Sequence, residues 1–267
     1  MTAEVIVFGS SKGGCSKTTT SGIVSWMLSK RGKKVLAVDM DSQGNLTALL
    51  TGEFDVIGAF EEKTVLEAII EGDAGPYIHP VNENLDVLPS NDILSMLSRH
   101  MFAKNLSMNT LTYILEPLAE DYDYIIIDTP PNLGEQTLMS LSTHTKLGSH
   151  FVVMFDGSKF AYYAIAKFLE IAAGVKQRYN PDIKFLGIAF AIMDPHSKEN
   201  KDMFELIDEN FGEESRFNTI IRRRAATRRI AIEGFEENKE IKQALEFYEP
   251  FLEELIERVE SKQKVEL

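Results

Sequence analysis

The sequence predicts an α/β fold, a doubly wound and mainly parallel sheet flanked by helices. Three observations predict it. Apolar, β-branched runs alternate with helix-period segments along the chain, the pattern of repeated βα units. Tyr124-Ile125-Ile126-Ile127 is apolar on both faces, as suits a central parallel strand. A Gly-rich turn, Ser11-Lys12-Gly13-Gly14-Cys15-Ser16, joins the first apolar run to the first helical segment.

In chain order, strands are expected at residues 5–8, 35–39, 85–88, 124–128, 151–155 and 185–190. Helix-period apolar spacing places helices at 18–30, 65–71, 106–119, 136–145, 162–179, 201–211 and 239–261. Within the last of these, Pro250 either starts a new helix or kinks a long one. Residues 51–63 carry the weakest pattern and read as a mobile surface loop. No repeat, low-complexity stretch or Pro/Gly-rich linker divides the chain, so one domain over 1–267 is expected. The first strand begins so near the start that no N-terminal helix-turn-helix domain is expected.

Composition narrows the function classes. The 267 residues include a single cysteine, Cys15, which excludes an internal disulfide framework and fits a reducing cytoplasm. One cysteine is also too few for a thiolate cluster shared between two subunits. No apolar run is long enough to span a bilayer, and no secretory leader is visible. The net charge of −13 argues against nucleic acid, but the charge is uneven. Arg222, Arg223, Arg224, Arg228 and Arg229 form a compact basic cluster upstream of an acidic C-terminal stretch. Charges beyond about 8 Å are largely screened at physiological salt, so local potential decides phosphate contacts.

The turn after the first strand has the layout of a phosphate-cradling loop. Backbone N–H groups from Gly13 to Thr19 would face the phosphates, where the helix dipole favours negative charge. Lys17 would reach the β- and γ-phosphates, and the Thr18 hydroxyl would ligate Mg²⁺. Lys12 is not needed for that work. A cation so early in the loop points away from its own phosphates and invites a facing subunit. Cys15, with no base nearby, reads as a small residue filling the loop. Two further strands end in carboxylates, at Asp39-Met40-Asp41 and at Asp128-Thr129-Pro130-Pro131. Ligands gather outside the carboxyl ends of parallel strands, so Asp39, Asp41 and Asp128 are expected to face the loop. A lone carboxylate after an apolar strand, such as Asp128, suits a holder of Mg²⁺ in a nucleotide hydrolase.

Lys12-Gly13-Gly14-x-x-Lys17-Thr18-Thr19, Val38-Asp39-x-Asp41-x-Gln43-Gly44-Asn45 and Ile127-Asp128-Thr129-Pro130-Pro131-x-Leu133-Gly134 together resemble the deviant Walker A motif P-loop NTPases. The resemblance is greatest to the ParA and Soj partition ATPases, and it extends over nearly the whole chain. It includes Asn84-Leu85-Asp86-Val87-Leu88-Pro89-Ser90 and a strand at residues 217–221 before the arginines. The resemblance implies a homodimer sandwiching ATP, with Lys12 crossing to the partner's nucleotide. Asp41 would orient the attacking water, and Asp39 and Asp128 would support the Mg²⁺ shell. It further implies slow basal ATP hydrolysis, non-specific DNA binding through the arginine cluster, and stimulation by a ParB-like centromere-binding protein. The protein would then be cytoplasmic and associated with the nucleoid. Three differences stand out. Ser16 occupies the usual glycine position, Arg222-Arg223-Arg224 replaces Pro-Arg-Asn, and His196 stands where relatives commonly carry Arg. The membrane-positioning ATPase MinD shares the three motifs and is the alternative. Its lipid-binding amphipathic tail contrasts with the acidic 253–260 segment here, which anionic lipid would repel.

Overall fold

Eight strands form one sheet in the computed structural model, which describes residues 3–10, 12–146, 148–193, 198–222, 229–230, 234–235 and 239–261. The strands are β1 (Glu4–Gly9), β2 (Val35–Asp39), β3 (His79–Asn82), β4 (Leu85–Leu88), β5 (Tyr124–Asp128), β6 (Ser149–Phe155), β7 (Ile183–Met193) and β8 (Arg216–Arg222). Their order is β3-β4-β2-β5-β1-β6-β7-β8, and every pairing is parallel except β3 with β4.

The doubly wound arrangement follows from period-two alternation in strands that are apolar on both sides. Val5 and Val7 of β1 join one core cluster, whereas Ile6 and Phe8 join the other. In β5, Ile125 and Ile127 divide from Tyr124 and Ile126 in the same way. Each sheet face therefore needs its own helical layer. Helices α1 (Lys17–Lys30), α2 (Asn45–Thr51), α10 (Lys239–Glu246) and α11 (Glu249–Glu260) supply Ile23, Leu46, Ile241 and Phe251 to one face. Helices α4 (Val65–Glu71), α6 (Thr110–Leu115), α7 (Glu135–Ser142), α8 (Lys159–Arg178) and α9 (Lys198–Phe211) cover the other. Helix α8 lies so close to β1 that a Cβ added at Gly9 would stand 2.1 Å from the Phe168 ring. Glycine is required there by packing.

Several boundaries differ from expectation for local reasons. The expected helix over 106–119 begins only at Thr110, because Leu106 instead closes the end of α5 (Leu97–Lys104), its N–H donating to Met101 O at 2.9 Å. Asn105 takes the left-handed conformation there, φ 51°, as the C-cap. The same segment finishes in a 3₁₀ turn, Glu116–Leu118, which contains Pro117. Helix α8 starts three residues earlier than expected because Ser158 Oγ caps it, accepting from Ala161 N at 3.2 Å. Pro250 starts a new helix, α11, within the first turn where its missing N–H costs nothing. Residues 51–63 are not a featureless loop. They hold α3 (Val56–Ala59), capped by Asp55, and the Phe60 side chain is buried.

Candidate functional site

The carboxyl ends of β1, β2, β5 and β6 meet at one edge of the sheet. Phe8 aligns with Asp128, and Asp39 aligns with Asp128, so the three sequence motifs emerge side by side. The loop after β1 turns on left-handed backbone at Gly14, φ 83°, and again at Ser16, φ 60°. Serine at that second position carries the strain that glycine would avoid. Ser16 makes no side-chain cap to α1, and the first turn of α1 contains no acidic residue. The helix N-terminus is thereby left to an anion. Gly13 and Gly14 are exposed, whereas Lys17 and Cys15 are buried. Burial pushes the Cys15 thiol up against a hydrogen bond with Ser10, consistent with a residue that fills the loop. The turn after β5 lies against the loop, with Pro131 Cβ 3.9 Å from where a Gly13 Cβ would be.

Thr18 Oγ1 donates to Asp128 Oδ2 at 2.6 Å, joining the helix start to β5. Asp128 is fully buried, and its Oδ1 has no hydrogen-bond partner. Asp39 is also fully buried, but both of its oxygens accept hydrogen bonds. Its Oδ1 accepts from Asp41 N at 3.1 Å, and its Oδ2 accepts from Thr47 N at 2.9 Å and Thr47 Oγ1 at 2.8 Å. Thr47 Oγ1 in turn accepts from Ser90 N at 2.9 Å, so Asp39 ties β2 to α2 and to the exit of β4. Gly44 completes this turn in the left-handed region, φ 63°, and a Cβ there would meet Ser90 O at 2.7 Å. Asp41 is 7% exposed and accepts from Gln43 N at 3.0 Å through Oδ1. Among the described residues no cluster of three or more His, Cys, Asp or Glu is arranged to hold a metal. The donors on hand, the Thr18 hydroxyl and the orphaned Asp128 oxygen, fit a Mg²⁺ that takes its remaining ligands from phosphate and water.

Burial pushes the Asp128 carboxyl up to about 7, with the Asp39 charge adding to it and the Thr18 hydrogen bond and Lys17 charge opposing it. Burial likewise carries Asp39 up to about 6 against its hydrogen bonds from Thr47 and Asp41. Both folded values lie above the ordinary 3.8, so the folded protein keeps protons the unfolded chain has lost. Stability from these groups is full below pH 3.8 and is lost as pH rises through about 6 to 7. Asp128→Asn removes one buried charge. It should raise the melting temperature of the ligand-free protein at pH 8, by about 2–4 °C per kcal/mol relieved, and raise it less at pH 5. Equal shifts at the two pH values would contradict this charge-burial account.

Lys12 is engaged outside the loop that carries it. Its Nζ donates to Asp156 Oδ2 at 2.6 Å and to Ser158 Oγ at 2.8 Å, beyond the end of β6. Sequence reasoning missed both partners. The signal that marked Asp39 and Asp128, a carboxylate at the end of an apolar strand, was also present in Phe155-Asp156. For Asp156, burial would raise the carboxyl, but the hydrogen bonds from Lys12 and Ser158 hold it below the ordinary carboxylate range.

The structure brings the nucleotide motifs together and does less for the arginine cluster. Arg222 is exposed at the end of β8 and makes no ion pair among the described residues. Arg229 is exposed but paired with Glu240. Arg223, Arg224, Arg228 and His196 lie outside the described residues. Just beyond, Phe235 stacks on Trp26 of α1, with ring centroids 4.5 Å apart. Midway along β8, Glu254 accepts from Asn218 N at 2.8 Å and Thr219 N at 2.9 Å, and Arg258 donates to Leu186 O of β7 at 2.7 Å. The apolar face of α11, including Phe251, Leu252 and Leu255, is buried against the sheet. No helix among the described residues is long and apolar enough to cross a membrane.

Comparison with known proteins gives a consistent neighbourhood. The AAA domain family profile matches residues 3–185. The chromosome partitioning protein ParA of Myxococcus xanthus is 31% identical over 193 residues, covering 72% of this chain and 65% of that protein. A putative plasmid partition protein from Borrelia burgdorferi B31, bound to AMPPNP, is 25% identical with a TM-score of 0.73, covering 96% of this chain and 99% of its own. A cobyrinic acid a,c-diamide synthase from Mycobacterium smegmatis, with bound ATP analogue and magnesium, is 25% identical with a TM-score of 0.75 over 98% of both chains. A synthase and a putative partition protein thus share the architecture, and activity must be argued from the site rather than from the fold.

Proposed function

The chain belongs to the AAA domain family, and from that premise we propose that it is an ATP-dependent, dimeric ATPase of DNA partition. In this reading it binds DNA non-specifically in the ATP state and is discharged by a ParB-like centromere-binding partner. The observation that carries the proposal is Lys12, a cation in the phosphate loop whose ammonium is held by Asp156 and Ser158 beyond the end of β6. A single chain has no use for it at its own phosphates. A facing copy does.

The residues divide the work between binding and chemistry. Backbone N–H groups from Gly13 to Thr19, with Lys17, bind the triphosphate at the head of α1. Mg²⁺, when bound, neutralises phosphate charge, and Thr18 and Asp128 are the residues that would hold it. Asp39 acts at one remove, because its oxygens are occupied in fixing the turn that presents Asp41. Asp41 orients the attacking water. Lys12 of each copy completes the other's site, so hydrolysis is slow until a partner perfects the geometry. The relatives named above, two of them partition proteins and two with ATP analogues bound, support this assignment.

A membrane-positioning role like that of MinD would need an amphipathic C-terminal helix free to leave the fold. The packing of α11 and its ties to β8 count against that use of residues 249–260. DNA binding by the purified protein with ATP, ADP or no nucleotide, across a salt series, tests the proposal. Retention should require ATP and fall steeply with salt, as phosphate contacts dictate. Flotation with anionic liposomes in ATP, without retention on DNA, would overturn it in favour of the membrane role.

A further inference from the structure

The contacts of Lys12 describe a lysine that is already engaged. Asp156 stands just past β6, and Ser158 caps α8. Asp156 Oδ2 takes Lys12 Nζ, while Asp156 Oδ1 accepts from Ser158 N at 3.1 Å and from Ser158 Oγ at 2.7 Å. Ser158 Oγ accepts from both Lys12 Nζ and Ala161 N. The carboxylate is therefore oriented by the first turn of α8 before it meets the lysine. The pair is shielded, with side-chain exposures of 34% for Lys12 and 17% for Asp156. Nothing in this arrangement resembles a lysine swinging in solvent.

We propose that Asp156 and Ser158 form an intramolecular latch on Lys12, which sets the ATP concentration at which two copies assemble. The inference rests on the reading that Lys12 serves a facing copy. An ammonium has three donors, and the latch takes two of them. The carboxylate also cancels the positive charge that a second molecule's triphosphate would meet. Assembly must then exchange one anionic partner for another, and the latched state competes with the dimer. A ligand shifts such an equilibrium only by its differential affinity for the two states. Weakening the latched state moves the balance towards assembly. If Asp156 served only to aim Lys12 outward, removing its charge would weaken assembly instead, so the two roles predict opposite signs.

The test titrates AMPPNP with Mg²⁺ against wild type, Asp156→Asn, Lys12→Ala and the double variant, reading mass by light scattering. Asp156→Asn keeps the shape and an acceptor for Ser158, and it should reach half-maximal assembly at about fivefold lower AMPPNP, the low end of ordinary coupling. Asp156→Ala should shift assembly in the same direction. The double variant should behave as Lys12→Ala. An Asp156→Asn midpoint equal to or above wild type, with Lys12→Ala monomeric, overturns the latch alone. Assembly of Lys12→Ala at the wild-type midpoint overturns the underlying reading of a shared site.

Discussion

Lys12→Ala should leave the protein monomeric at saturating AMPPNP and Mg²⁺, with nucleotide binding by the single chain retained. The argument is one of location. Lys17 and Thr18 stand at the head of α1, whereas Lys12 Nζ is drawn off to Asp156 and Ser158. The substitution therefore spares the contacts that hold nucleotide within one chain. In a two-fold assembly each loss is counted twice, because the same patch faces itself. A hydrogen bond to a charged group contributes roughly 1.5–3 kcal/mol net, so two such losses amount to roughly 3–6 kcal/mol before release of the two Asp156 contacts is set against them. That is a factor of about 10² to 10⁴ in the dimerisation constant. Light scattering of the variant, together with fluorescent-nucleotide titration of the same sample, reads both halves of the expectation. A dimer that persists with AMPPNP would remove the role given to Lys12 and the partition mechanism built on it.

Much of this site is legible along the chain because its parts are local. Each motif joins an apolar strand to the turn after it, and parallel strands bring their carboxyl ends to one edge. Asp39, Asp41, Asp128 and the loop from Lys12 to Thr19 need no long-range information to be found. The Lys12 latch does, since 144 residues separate Lys12 from Asp156. Periodicity also fails where an element is short or polar. Helix α5 contains Arg99, His100 and Lys104 and buries only Leu97. Strand β3 lies at the sheet edge and includes Pro80, so it lacks the apolar run that marks an inner strand. Residues 51–63 carry little apolar pattern because they bury a single side chain, Phe60. Arg229 shows a different limit. A basic cluster read from neighbours in sequence does not reveal an acid eleven residues on, and Glu240 already pairs with this arginine.

Asp41→Ala should separate assembly from chemistry, keeping the ATP-bound dimer and lowering the hydrolysis rate by about 10² to 10⁴, the range for loss of a general base or its equivalent. The turn is built so that this carboxylate is dispensable to its own backbone. Asp41 N is held by Asp39 Oδ1, and Gly44 N donates to Asp41 O at 3.0 Å, neither bond involving the Asp41 side chain. Only the contact from Gln43 N to Oδ1 is lost, and Oδ2 makes no hydrogen bond among the described residues. Asp39 is the instructive contrast. Its removal would free Thr47 N, Thr47 Oγ1 and Asp41 N inside a buried turn, so a fall in activity there would report collapse of the turn rather than chemistry. Single-turnover hydrolysis alongside light scattering distinguishes the cases. A stable dimer with stalled hydrolysis assigns Asp41 to the attacking water, whereas hydrolysis at the wild-type rate would move that role to another group at the sheet edge. Loss of the dimer together with activity would instead show that Asp41 supports the interface, and the division of labour between Asp39 and Asp41 would have to be redrawn.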